Sequence, residues 1–309
     1  MIVVVGEALI DLVISPDGSV VAARGGAPYN TARALGRLDT RVAFVGGMSV
    51  DRFGTDLVAA LEADGVDVRW LTRTERPTTL AAAEIDDRGA ASYRFYFAET
   101  SAPLVDAVDV DAALASAGER PWIFTGGLGL VLEPMAQTVV DVIDRIGDEV
   151  SVMVDVNCRP AVIADRDAYR ARIEHLVRRA DVVKVSDEDL DYLLPGREPS
   201  VAAKALVELG ARMVVVTAGA RTTHVVGDGR VTEVPVPPIS GTVVDTIGAG
   251  DTFGAGLLAS LHASGVGRDR LGHDDVVRAV DVGHAAAGIV VTRRGADPPR
   301  RDELGGLLG

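Results

Sequence analysis

Lysine is nearly absent from this chain: Lys184 and Lys204 stand alone against 29 arginines. Cysteine is rarer still, with Cys158 the single example, and aromatic residues make up only 4%. One cysteine excludes an internal disulfide and fits a reducing compartment, where a small core residue is its expected role. No apolar run approaches the ~18 residues that would suggest a membrane span. The opening Met1-Ile2-Val3-Val4-Val5-Gly6 has no basic segment and is only a strand long, so no signal peptide is expected. Positive charge is also short, and the formal net charge of −14 argues against a nucleic-acid partner. The arginine bias, with abundant Ala, Val, Gly and Asp, reads as GC-rich codon usage. The expectation is a soluble cytoplasmic protein, away from membranes, with locally placed cations.

The 309 residues, 48% apolar, suffice for one large α/β domain with an appendage. Short β-branched runs at 2–5, 41–45, 122–125, 152–156, 182–185 and 213–217 alternate with helical stretches. Those helices fall around 29–38, 51–63, 133–145, 167–179 and 199–209, and two longer ones, 250–264 and 274–292, close the chain. Near-continuous apolar strands separated by helices indicate a parallel sheet covered on both faces. Two extended pairs break the alternation: 9–14 with 20–23 around Pro16-Asp17-Gly18, and 79–85 with 92–97 around Asp86-Asp87-Arg88-Gly89. These cannot all join one parallel sheet, so a small separate β-sheet is expected, placed as a lid over a cleft. A further hairpin around Asp228-Gly229 should decorate an edge.

The most informative run is Asp245-Thr246-Ile247-Gly248-Ala249-Gly250-Asp251-Thr252-Phe253. Its Gly-Ala-Gly stretch lets a ligand approach the backbone, and Phe253, Leu257, Leu258 and Leu261 follow at helical spacing. The first amides of such a helix lack internal partners and favour an anion. Asp251 beside them could take a proton from an attacking hydroxyl, and the helix dipole should hold its carboxylate ionised. An anion hole of Gly248, Ala249 and Gly250 next to a base is what phosphoryl transfer needs. Without the lysine of GxxxxGK[ST], this is not a Walker loop.

That run resembles the C-terminal signature of the ribokinase-like (PfkB-type) carbohydrate kinases. The resemblance implies a three-layer α/β/α fold with a mainly parallel sheet, built as one domain over residues 1–309. Lid strands at about 9–24 and 79–98 would also form a dimer contact in some members. At the other end, Asp11 leaves the first strand and Gly25-Gly26-Ala27-Pro28-Tyr29-Asn30 opens a helix. A carboxylate and a carboxamide together suit a neutral polyol, although Asp11 as a strand-end charge and Asn30 as a helix cap are the alternatives. The pair resembles the family's sugar-binding motif, and Gly25 and Gly26 its lid hinge. The wording GExLxD and GGAPYN, with Thr100-Ser101-Ala102-Pro103 and Asp155-Val156-Asn157-Cys158-Arg159, is similar to the fructokinase branch. Phe97, with Phe95 on the same lid face, would cover the sugar ring or serve as lid core or dimer contact. Arg159 follows a strand's C-terminal end, where a guanidinium can hold a phosphate or a substrate carboxylate.

Lys184-Val185-Ser186-Asp187-Glu188-Asp189 resembles the family's NxxE motif for magnesium (Mg2+) and phosphate, with Ser186 in place of Asn and Asp189 in place of Glu. Either Glu188 or Asp189 would act on the metal, and Lys184 on phosphate. Thr217 and Gly219 match the first part of a nucleotide loop, which Thr222 departs from. Asp245 and the Ile247 carbonyl, with the loop 292–295, imply a potassium (K+) site. The resemblance thus implies ATP-dependent phosphorylation of a primary sugar hydroxyl, most simply on fructose. A 2-keto-3-deoxygluconate kinase and a catalytically silent sugar sensor are the alternatives.

Overall fold

The structure, a computed structural model, describes residues 1–87 and 91–308. Six short runs dominated by Val, Ile and Met form its centre: Ile2–Val5, Val42–Val45, Trp122–Gly126, Ser151–Asp155, Val182–Ser186 and Met213–Thr217. They pair in parallel and are buried on both faces, as a run without polar alternation must be. Side chains alternate across the sheet. Val3, Val5, Val152, Val154 and Val183 pack with Ile143 of helix Met135–Arg145, Leu176 of Arg166–Val177 and Leu206 of Pro199–Leu209. Ile2, Val4, Phe124, Met153 and Val215 face the other way. They meet Leu35 of Ala27–Arg37, Leu61 of Arg52–Ala63, Leu258 of Ala249–Ala263 and Val280 of His273–Val290. Helices therefore cover both faces, in the expected three layers. No helix among the described residues is long and apolar enough to cross a membrane.

Across the sheet the order is Arg230–Pro235, Thr222–Gly227, Met213–Thr217, Val182–Ser186, Ser151–Asp155, Trp122–Gly126, Ile2–Val5, Val42–Val45. The two strands at the far edge are the hairpin expected at Asp228-Gly229, and they run antiparallel. The chain starts at Ile2–Val5, moves to Val42–Val45 on one side, then returns to Trp122–Gly126 on the other. This reversal leaves a crevice beyond the C-terminal ends of Ile2–Val5 and Trp122–Gly126, the place where ligands bind in such sheets.

A separate four-stranded sheet has the order Val20–Gly25, Leu9–Ile14, Leu80–Ile85, Ala91–Tyr96. Its first turn is fixed by Asp17, whose side chain accepts from the Ser19 amide at 2.9 Å. Of the second expected turn, Arg88 and Gly89 lie outside the described residues. Among the elements without a forecast are two short strands and a helix. Gly47–Ser49 pairs with Thr72–Thr74, and helix Ala107–Ser116 is capped by Asp106 at the Val108 amide. That helix buries only Val110 and Ala113, too thin an apolar stripe to read as periodic.

Candidate active site

Asp11 lies in a strand of the small sheet, opposite Ala23 on one side and Ala81 on the other. A Cβ on Gly25 would stand 2.0 Å from Asp11 Oδ2, so a side chain there would displace this carboxylate. Burial pushes the Asp11 carboxyl up to about 6, against the field of Arg159. Phe95 stands in register with Ala81 and shares the face of Asp11. Phe97 follows two residues on, half-buried, in a cleft of about 590 Å3 with Pro134, Val162 and Tyr169.

Glu7, the acid of the GExLxD motif for which no role was expected, lies beneath the start of helix Ala27–Arg37. Its buried carboxylate accepts from the Ala27 amide at 3.1 Å and the Gly129 amide at 2.9 Å. It thereby ties the start of helix Ala27–Arg37 to the turn after Trp122–Gly126. Burial raises it to about 7, with these amides pulling the other way. An acid directly after an apolar strand was the available signal, because a buried carboxylate needs partners.

Asn30 is inside its helix and does not cap it; the cap position is Gly26. Its Nδ2 donates to Asp251 Oδ2 at 2.8 Å, across 221 residues, and its Oδ1 is buried without a partner. Asp251 is 8% exposed in the first turn of helix Ala249–Ala263. The helix start was expected to favour the ionised form of Asp251, and its burial acts the other way. Burial pushes its carboxyl up to about 6, beyond the opposing Asn30 bond and the Lys184 and Arg159 charges, and Asp155 adds to the rise. Gly248 caps the helix in the left-handed conformation, φ 75°. Ala249 departs from the anion-hole forecast, since its amide donates to the Thr246 carbonyl at 3.2 Å. The amides of Gly250 and Asp251, at the second and third helical positions, have no carbonyl four residues back inside the helix.

Lys184 was expected on phosphate. It is 5% exposed, and its Nζ donates to Asp155 Oδ2 at 2.8 Å. Ser186 was expected on the nucleotide. Its hydroxyl accepts from the Asp189 amide at 3.0 Å and donates to Asp189 Oδ2 at 2.7 Å, a capping box that starts helix Asp187–Leu193. Asp189 Oδ1 accepts from the Cys158 amide at 2.7 Å, so both its oxygens are engaged, whereas Glu188 is exposed. Arg159 is exposed too and donates to the Cys158 carbonyl at 2.9 Å. Thr217 ends its strand and Gly219 turns with φ 58°, open above any Cβ. Arg221 from that loop pairs with Asp187. Asp245 links two loops, accepting from the Ile247 amide at 3.0 Å and the Gly295 amide at 2.9 Å.

A family model for pfkB family carbohydrate kinases matches residues 1–303. The chain belongs to that family. The kinase is 38% identical over 269 residues to a fructokinase of Rhizobium leguminosarum bv. trifolii, covering 84% of this chain and 79% of that protein. Among solved structures, the fructose- and ADP-bound fructokinase of Vibrio cholerae superposes with TM-score 0.86 at 25% identity, over 100% of this chain and 98% of that one. The aminoimidazole riboside kinase of Salmonella enterica gives the same TM-score and identity, over 100% and 99%. The kinase thus has the ribokinase-like fold its sequence suggested.

Proposed function

We propose that this kinase transfers the γ-phosphoryl group of ATP to a primary hydroxyl of a sugar, fructose first, with Asp251 as general base. The Asn30–Asp251 hydrogen bond supports this most directly, because it brings the carboxamide of the sugar motif onto the carboxylate at the helix start. Asp11 and the free Asn30 Oδ1 would orient sugar hydroxyls. The hydroxyl oxygen forms a bond to the γ-phosphorus, the bond to the β-phosphate oxygen breaks, and the hydroxyl proton passes to Asp251. Charge on the moving phosphoryl group would meet the amides of the helix start and Lys184.

Thr217 and Gly219 would take the nucleotide. A magnesium ion would neutralise the phosphates, and the exposed Glu188 fits it through water better than the engaged Asp189. Asp245 and the Ile247 carbonyl offer oxygens to potassium. The four-stranded sheet would close as a lid and exclude water. Its exposed Val20, Val21, Tyr93 and Tyr96 suit a second copy of the chain, with the cytoplasm as the place of work.

Exposed Arg159, whose field reaches Asp11, favours a second reading with a keto-acid substrate. A coupled assay across fructose, ribose, 2-keto-3-deoxygluconate, adenosine and aminoimidazole riboside should give fructose the highest kcat/KM. A tenfold advantage for the keto acid would replace fructose and make Arg159 a carboxylate ligand. No ATP consumption on any sugar would leave a sensor.

A further inference from the structure

Asp155 and Lys184 occupy neighbouring central strands in direct register, so their side chains leave the sheet on the same face. Both are buried, Asp155 to 1% exposure, and their ion pair at 2.8 Å lies under the first turns of helix Ala249–Ala263. Glycines make that approach possible. A Cβ on Gly250 would sit 3.5 Å from Lys184 Nζ, and one on Gly254 3.5 Å from Lys184 Cδ and 3.9 Å from Asp155 Oδ2. The ammonium therefore rests against the turn whose amides face the site. Asp155 Oδ1 is buried and accepts nothing. A half-satisfied buried carboxylate is costly to hold, and apolar residues would fill the same space without that cost.

We propose that Asp155 is a positioning residue of the phosphoryl-transfer step, holding Lys184 charged and aimed at the helix start where the transferred group gathers charge. This rests on the reading of Asp251 and its helix as the reacting centre. The ammonium is a buried cation set against that turn, and Asp155 is its ion-pair partner at 2.8 Å. The charged groups around Asp155 are Lys184, Asp189 and Arg159, with Asp251 coupled to it from the helix above. Removing the negative charge of Asp155 has two effects. An ammonium left alone in a buried place gives up its proton more readily, and Asp251 loses a neighbour that raises its carboxyl. Both displace the working pH range in the acid direction.

The test compares Asp155→Asn with the wild type on fructose and ATP over about pH 5 to about 9, a span that takes in the roughly 5–6 at which buried lysines can lose their proton. The ratio of mutant to wild-type kcat should fall at least tenfold from the acid to the alkaline end, with the fructose dissociation constant within threefold. The double variant D155N/K184M removes both charges of the pair and should fold. Its kcat should be lower by about 10²–10³-fold, as for loss of one stabilising donor. A flat ratio across pH, or a double variant within threefold of wild type, overturns the proposal. If D155N does not fold, the double variant decides alone. Wild-type turnover is read in the same plates, so a silent wild type would count against the kinase reading and not against Asp155.

Discussion

Replacing Asp251 by asparagine should cost turnover and add stability, two effects with one origin. The carboxyl is pushed up to about 6 by burial, so at neutral pH the folded chain carries an ionised group whose charge burial penalises relative to the unfolded chain. From an ordinary value of 3.8, that shift corresponds to about 3 kcal/mol of destabilisation, at 1.36 kcal/mol per unit. The cost is absent below the unfolded value and grows as pH rises to about 6, because over that span the native state holds the proton the unfolded state has released. Asn removes the charge, keeps the shape and can still accept from Asn30 Nδ2 through its own oxygen. Asp251→Asn should therefore melt at or above the wild-type temperature at pH 7.5, with the gain vanishing near pH 4. Turnover should move the other way, with kcat lower by about 10²–10⁴-fold through loss of the base. Both dissociation constants should stay within a few-fold, measured by calorimetry on the same folded sample. A kcat within threefold of wild type would refute the base assignment. A melting temperature lower by several degrees would refute the electrostatic account even if activity were lost.

The acid limb of kcat/KM should fall as pH drops below about 7 and steepen near 6, since Asp251 must be ionised and Asp11 and Glu7 titrate in the same span. A profile flat to pH 5 would contradict it. Gly25→Ala should raise the fructose KM at least tenfold with a smaller change in kcat, because the added methyl would displace Asp11 Oδ2. Combining it with Asp11→Ala should add little, and additive losses would show that the two do not act together. Potassium should raise the rate over tetramethylammonium at saturating magnesium, through the loops that Asp245 ties together, and equal rates would remove that site.

The strands were legible because each is a continuous apolar run, and such runs have one stable home in a covered parallel sheet. The candidate site was legible where motif and local geometry coincide, as at Gly248, which caps the helix the motif predicted. Lys184 was not, since its place depends on Asp155 across a strand pairing that sequence order does not disclose. Its position within Val-Val-Lys-Val was nonetheless a warning, because a charge in a buried strand demands a partner. The Ser186-x-x-Asp189 spacing could have been read as a capping box from sequence alone. Asp251 shows the opposite limit. Its helix position is local, while the burial that outweighs it comes from Asn30 and the sheet beneath, all distant in the chain.

That distance also bears on how the molecule is made. Asn30 and Asp251 are separated by 221 residues, and the two helices that carry them pack against each other. Contacts of such long span form late in folding, after the loop between them has been closed at an entropic cost. During synthesis the N-terminal sugar motif waits while the whole intervening sheet is laid down. Asn30 and Asp251 meet only when helix Ala249–Ala263 docks on helix Ala27–Arg37, so a partly made chain lacks the proposed site.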